Sequence, residues 1–148
     1  MSKQHFEVIV VGAGFAGLYL AHKLTAQGRT IRVVEQGSDV GGTWYWNRYP
    51  GARCDAESLA YSFSFSSELE QSWQWSERYA QQPEILSYAR HVADQFQLRP
   101  VIQFNTQVTS AIWQETQRHW EIETAPGDRF TADFCIMATG CLSVPQRP

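Results

Sequence analysis

The stretch FEVIVVGAGFAGLYLAHKLTAQGRTIRVVE, residues 6–35, changes its hydrophobic period twice. Residues 6–11 (FEVIVV) form a short, β-branched apolar run that ends at a glycine, the pattern of a strand buried on both faces. From Ala16 onward the period becomes helical, with Leu18, Leu20, Ala21 and Leu24 on one face and Gly28 where a C-terminal cap belongs. Residues 31–35 (IRVVE) then read as a second buried strand. Strand, helix and strand make a βαβ unit, which predicts an α/β fold with a parallel sheet and a right-handed crossover.

Working outward, residues 35–60 carry Gly41-Gly42 and Pro50-Gly51 and read as one long loop. Loops of that length inside a domain are usually functional, and this one holds Trp44, Tyr45, Trp46 and Tyr49, so it is expected to lie against a ligand. Residues 58–67 alternate weakly and allow a short strand or a turn of helix. Pro83 stands at the start of a helix predicted to run to about Leu98, with Ile85, Leu86, Ala89, Val92, Ala93 and Phe96 as its apolar face. Trp73, Trp75 and Tyr79 precede that helix and are expected to pack against it or against a domain outside the 148 residues. Three β-like segments follow at residues 102–113, 119–124 and 130–138, the last two joined by the turn signal Pro126-Gly127-Asp128. The first two predict an antiparallel excursion, and the last predicts a strand returning to the parallel sheet and ending at Gly140. Residues 143–148 (SVPQRP) have the composition of a linker.

The 148 residues amount to one domain, with a net charge of −3, 43% hydrophobic and 18% charged residues. That composition excludes intrinsic disorder. Without a Lys/Arg run there is no electrostatic footprint for nucleic acid or an anionic membrane. The longest nearly apolar stretch, residues 8–21, is broken by three glycines and is shorter than the roughly 18 residues of a membrane span. No signal peptide is read at the N-terminus, so a cytoplasmic protein is expected. Cys54, Cys135 and Cys141 lack CxxC spacing and read as buried structural thiols. Of the scattered histidines only His91 has an acidic helical neighbour, Asp94, which is a solvated face and not a metal site. No serine nucleophile elbow is present.

Gly12-Ala13-Gly14-Phe15-Ala16-Gly17 fits GxGxxG between a predicted strand and a predicted helix, and Glu35 closes the next strand eighteen residues past Gly17. In such a motif the first glycine permits the tight turn, the second admits a pyrophosphate, and the third lets helix and strand pack closely. Glu35 is expected to accept a hydrogen bond from a ribose hydroxyl, and its charge would repel a 2′-phosphate, which leaves FAD or NAD. The plain alternative is a set of glycines at an ordinary turn.

Glu35-Gln36-Gly37 followed by Val40-Gly41-Gly42-Thr43, with Ala138-Thr139-Gly140 after the last strand, resembles flavoproteins with two dinucleotide-binding domains and favours FAD. Residues 41–58, GGTWYWNRYPGARCDAES, closely resemble the Baeyer–Villiger monooxygenases, class B flavin enzymes. The resemblance also covers residues 12–19, 73–86, 102–111 and 137–148. It implies that FAD, NADPH and oxygen are used to convert a small carbonyl compound, a ketone, to an ester or lactone through a flavin peroxide. It implies FAD contacts at Gly12, Gly14, Phe15, Gly17, Glu35, Gln36, Gly42, Thr43, Trp44, Trp46 and Tyr61, and at Val108 beside the adenine. It also implies a place for Asp55 beside the isoalloxazine, an approach of NADP to Arg53, Cys54 and Asp55, and a catalytic part for Asp55 in orienting an active-site Arg. The residues alone favour Asp55 as the cap of a helix after it, with Glu57 or Ser58 in the first turn.

That Arg, the family's second GxGxxG and its signature F-x-G-x-x-x-H-x-x-x-W-P are not among the 148 residues. The reading is therefore residues 1–142 as the FAD-binding part and 143–148 as the start of a linker to an NADPH domain. FAD, NADPH, oxygen, the carbonyl substrate and the C-terminal domains of the same protein are the expected partners, and the piece alone is expected to be catalytically incomplete. Two alternatives stand beside this: an inactive dinucleotide-binding module, and a flavin monooxygenase acting on amine nitrogen or sulfur.

Overall fold

A computed structural model describes residues 4–142. Strand β1 (Gln4–Val11), helix α1 (Phe15–Ala26) and strand β2 (Ile31–Val34) form the expected βαβ unit, with β1 and β2 parallel. Helix α1 ends in a Schellman motif: Gly28 takes φ +73°, its N–H reaches Thr25 O at 2.9 Å, and the Arg29 N–H reaches Leu24 O at 3.0 Å. Short helices α2 (Thr43–Trp46) and α3 (Ser67–Ser72) follow, then α4 (Gln82–Gln95). The sheet is completed by β3 (Ile102–Gln103), β4 (Val108–Gln114), β5 (His119–Thr124) and β6 (Arg129–Met137), in the order β3-β2-β1-β6-β5-β4.

Strands β3, β2, β1 and β6 are mutually parallel, while β5 and β4 continue the sheet antiparallel. The β5–β6 hairpin turns at Gly127, φ +95°, where the sequence signal lay. The segment 102–113 is not one strand as expected. It breaks at Asn105, φ +53°, so that β3 and β4 lie at opposite edges of the sheet. Asn tolerates the left-handed conformation that such a break requires. The crossing is held by the N–H groups of Asn105 and Thr106, which donate to Gly37 O and Glu35 O at 2.9 Å each.

Alternate residues of β1 face opposite sides. Val8 and Val10 join Leu18, Ala21, Ala89 and Ala93 under α1 and α4, while Ile9 joins Val34, Ile122 and Phe130 in a second cluster. Residues 58–67 contain a turn and no strand, and α2 and α3 had no counterpart in the sequence reading. Helix α3 starts at Ser66, whose Oγ accepts the Leu69 N–H. Trp73 and Trp75 pack on Tyr88 of α4, as expected, with ring centroids 5.3 and 5.0 Å away. The linker assigned to residues 143–148 lies outside the described residues.

Asp39 ties the loop after β2 to α4. Its Oδ1 accepts the Val40 N–H at 2.8 Å and Arg99 Nη1 at 3.0 Å, and its Oδ2 accepts Arg90 Nε at 2.7 Å. Burial opposes ionisation of Asp39, but the Val40 N–H and the two guanidiniums outweigh it and hold the carboxyl below its ordinary 3.8. A depressed pKa stabilises the fold above the ordinary value and loses that contribution as pH falls through the folded-state value. Asp39→Asn should therefore cost about 1–2 kcal/mol at neutral pH. The gap between wild-type and variant melting curves should close in strong acid, and a gap independent of pH would refute this role.

Candidate functional site

A cavity of about 520 Å³ opens where β2, β1 and β6 end, between Glu35, Gly12 and Ala138. This is the crevice outside the carboxyl ends of parallel strands, on either side of the first strand, where ligands bind in open α/β sheets. Its floor is backbone. Gly12 has φ +107°, and a Cβ there would stand 2.6 Å from Ala138 O. A Cβ on Gly42, φ +53°, would lie 2.8 Å from the Cα of Gly14. The two glycine clusters thus touch, and the Gly41 N–H donates to Ala13 O at 3.0 Å. Above them stands the N-terminus of α1, with no side-chain cap and no acidic residue in its first turn. Unpaired N–H groups and the positive end of a helix dipole suit a pyrophosphate.

Gly17 does not line the cavity. A Cβ on it would fall 1.9 Å from Gly12 O, so its part is the close packing of α1 on β1. Glu35 lines the cavity but is only 5% exposed. Its Oε2 accepts the Ala13 N–H at 2.6 Å and its Oε1 the Gly37 N–H at 2.7 Å. The carboxylate locks the glycine turn to the exit of β2, a structural duty the motif did not reveal, and lone pairs remain for a hydroxyl.

Phe15, Gln36, Thr43, Trp44, Trp46, Tyr61 and Val108 all line the cavity. Trp46 is 41% exposed at the mouth, whereas Trp44 is buried, its carbonyl held by Gln82 Nε2. The Trp44 Nε1–H donates to Tyr61 Oη at 3.0 Å. Burial raises the Tyr61 phenol above its ordinary range, with the Trp44 bond pulling the other way, so the hydroxyl stays protonated at neutral pH.

Arg53, Cys54 and Asp55 do not line the cavity. Cys54 is buried with Trp44, Ala80, Ile85 and Leu86, and Arg53 Nη1 is bound to Glu77 and to Tyr79 O, at 2.7 and 2.8 Å. Asp55 is exposed. Its alternative as a helix cap is not realised, because the residues after it form a turn, closed by the Tyr61 N–H on Glu57 O at 3.0 Å. Thr106, Gln107, Ala138, Thr139 and Gly140 line the cavity but were not chosen from the sequence. The Ala-Thr-Gly run after an apolar strand was the visible signal for the last three, and the resemblance over residues 102–111 for the first two.

Among the described residues no group of His, Cys, Asp and Glu could hold a metal. His91 meets Ser72 Oγ, and Asp94 pairs with Arg99. Of the cysteines only Cys54 is buried; Cys135 is half-buried and Cys141 exposed, which corrects the expectation of three buried thiols.

Residues 9–148 match the model of a family described as pyridine nucleotide-disulphide oxidoreductase. Over 99% of its length the chain is 45% identical to a phenazine N-monooxygenase of Lysobacter antibioticus, and over 97% it is 45% identical to a Baeyer–Villiger monooxygenase of Pseudooceanicola batsensis. A solved structure of oxidized steroid monooxygenase bound to NADP superimposes on 98% of the chain with a TM-score of 0.95 and 56% identity. The chain spans 28%, 26% and 28% of these three proteins.

Proposed function

The chain belongs to the pyridine nucleotide-disulphide oxidoreductase family, and from that footing we propose that it is the FAD-binding portion of an NADPH- and oxygen-dependent flavin monooxygenase converting ketones to esters or lactones. The observation that carries this is the glycine cradle, Gly12, Gly14 and Gly42, under an uncapped helix N-terminus at one side of a 520 Å³ cavity. A β-carbon at Gly12 or Gly42 would press on backbone, and one at Gly14 would stand 3.4 Å from the Cα of Gly42, so the backbone of the two clusters lies bare and close under the helix, as a pyrophosphate site requires. Dithiol chemistry, which the family's description also covers, is not supported, since Cys54, Cys135 and Cys141 lack the close paired spacing of a redox dithiol. Unpaired thiols also accord with a cytoplasmic location.

When bound, the isoalloxazine supplies hydride acceptance and oxygen activation. The chain's residues bind and orient it. The N–H groups of the first turn of α1 hold the pyrophosphate, Glu35 accepts from the adenosine ribose, and Gln36 and Val108 flank that end. Thr43, Trp44, Trp46 and Tyr61 close the other end and exclude water. Asp55 is one of the charges felt by Tyr61, and in this reading it orients a cation outside the 148 residues, beside the NADP approach to Arg53 and Cys54. Residues 1–142 are the FAD-binding part and 143–148 lead toward an NADPH domain.

Purified chain should quench FAD fluorescence on mixing. No quenching by the wild-type chain would refute FAD binding by this portion. In the full-length protein Asp55→Ala should lower turnover more than FAD content, and unchanged turnover would refute its role.

A second reading has an observation of its own. The phenazine N-monooxygenase is as similar as the Baeyer–Villiger enzyme, 45% in each case, which supports oxygen transfer to nitrogen, there the ring nitrogen of a phenazine, as the alternative reaction. Products formed by the complete protein from a ketone and from an aromatic amine separate the two.

A further inference from the structure

A string of oxidisable aromatic side chains joins the cavity to the surface beside α4. Trp44 and Tyr61 line the cavity and meet edge to face, centroids 5.9 Å apart, linked by the indole-to-phenol hydrogen bond. Two routes lead outward from Tyr61. One follows the chain to Ser62, whose Oγ accepts the Trp75 Nε1–H at 2.8 Å. The other crosses Phe15, whose ring lies 5.0 Å from Tyr61 and 6.1 Å from Tyr88. They converge where Trp75 lies 5.0 Å from Tyr88 and 5.6 Å from Trp73. Tyr88 is 1% exposed, whereas Trp73 and Trp75 reach solvent in part.

Packing and local hydrogen bonds account for Trp44, Tyr61, Trp75 and Tyr88 one by one, while Trp73, whose Nε1–H has no partner, could be replaced by Phe without losing a bond. They do not require that the side chains most easily oxidised by one electron stand at both ends of a path from a cofactor cavity to water, bridged only by the Phe15 ring and the Ser62 hydrogen bond. Electron tunnelling falls off exponentially with distance, so short hops between touching rings outrun one long jump. A vacancy left by a departing electron is a charge, which is stabilised where water reaches it. That biases it outward, from buried Trp44 toward Trp75 and Trp73.

Resting on the reading of the cavity as an FAD site, we propose that Trp44, Tyr61, Trp75 and Trp73, with Tyr88 among them, form a one-electron relay between bound flavin and water-soluble reductants. Trp44 or Tyr61, which line the cavity, would give one electron to a flavin bound there and excited by blue light. The vacancy moves to Trp75 and Trp73, where a soluble enediol such as ascorbate refills it. A phenol proton released at Tyr61 passes to water and returns with the electron. Two passes, with two protons, convert FAD and ascorbic acid to reduced FAD and dehydroascorbate and leave the side chains unchanged. The same path lets soluble reductants convert a hydroxyl radical formed beside the flavin to water, by one electron and one proton.

The test is anaerobic illumination of the FAD-loaded chain with ascorbate, following loss of oxidised flavin absorbance. The comparison is a Trp73→Phe/Trp75→Phe double variant, neither position lining the cavity. Flavin occupancy before illumination and the melting temperature are read for both. Photoreduction should slow several-fold in the double variant at equal occupancy. An unchanged rate at equal occupancy overturns the relay and leaves the FAD site standing. Absence of bound flavin in the wild-type chain overturns the FAD site and the relay with it. If the double variant does not fold, Trp73→Phe alone decides by the same criterion, since the Trp73 Nε1–H has no hydrogen bond to lose.

Discussion

Replacing Gly17 by Ala is expected to lower the stability of the fold by several kcal/mol. The added methyl would fall 1.9 Å from Gly12 O and 3.0 Å from Gly12 C, both backbone atoms that no rotamer change can move. Relief requires α1 to lift off β1, which pulls Leu18 and Ala21, both 0% exposed, out of the core. Overpacking of a rigid core costs about 1–3 kcal/mol and occasionally more. Here the obstacle is main chain, so a loss of at least about 3 kcal/mol is expected, a large share of the roughly 5–15 kcal/mol that holds a domain together. In a chain of this size that lowers the melting temperature by about 10 °C. Gly28→Ala is the control. Gly28 has φ +73° but nothing within 4 Å of an added Cβ, so only backbone strain of about 1–2 kcal/mol is incurred. Equal melting temperatures for the two variants would refute the packing argument.

Replacing Glu35 by Ala should damage both the fold and the cofactor site. The Ala13 and Gly37 N–H groups would lose their acceptors, and each buried donor left unpaired costs about 1–3 kcal/mol. Glu35→Gln should be nearly as harmful, because an amide offers one acceptor oxygen to two donors and turns its own N–H toward the other. An expected loss of about 2–4 kcal/mol is readable as a lowered denaturant midpoint at constant slope. FAD affinity, measured where the variant is still folded, should fall at least about tenfold, the equivalent of one hydrogen bond to a charged acceptor. Stability lost with affinity intact would restrict Glu35 to holding the turn. Affinity lost with stability intact would show that its two backbone bonds contribute nothing.

Much of the site was legible because the dinucleotide motif is local. Gly12, Gly14, Gly17 and Glu35 sit at fixed offsets from a strand and a helix whose periods are plain in residues 6–35. The resemblance carried Thr43, Trp44, Trp46, Tyr61 and Val108 to positions that all border the cavity. It also carried Arg53, Cys54 and Asp55, which do not line the cavity; the Arg53 strand bridge to Gln81 and the burial of Cys54 with Trp44, Ile85 and Leu86 depend on the segment at and before α4, far along the chain.

By itself, then, the sequence determined the βαβ unit, the Pro83 helix, the hairpin at Gly127 and the presence of a phosphate-binding turn, each a matter of period or turn chemistry within a few residues. Only the tertiary structure decided that β3 and β4 lie on opposite edges, that Gly42 rests against Gly14, and that the Glu35 carboxylate is sequestered by Ala13 and Gly37. The physical reason is range. Hydrophobic period reports whether a residue is buried. It does not report what it is buried against, which is settled by contacts between segments that meet only once the sheet has assembled.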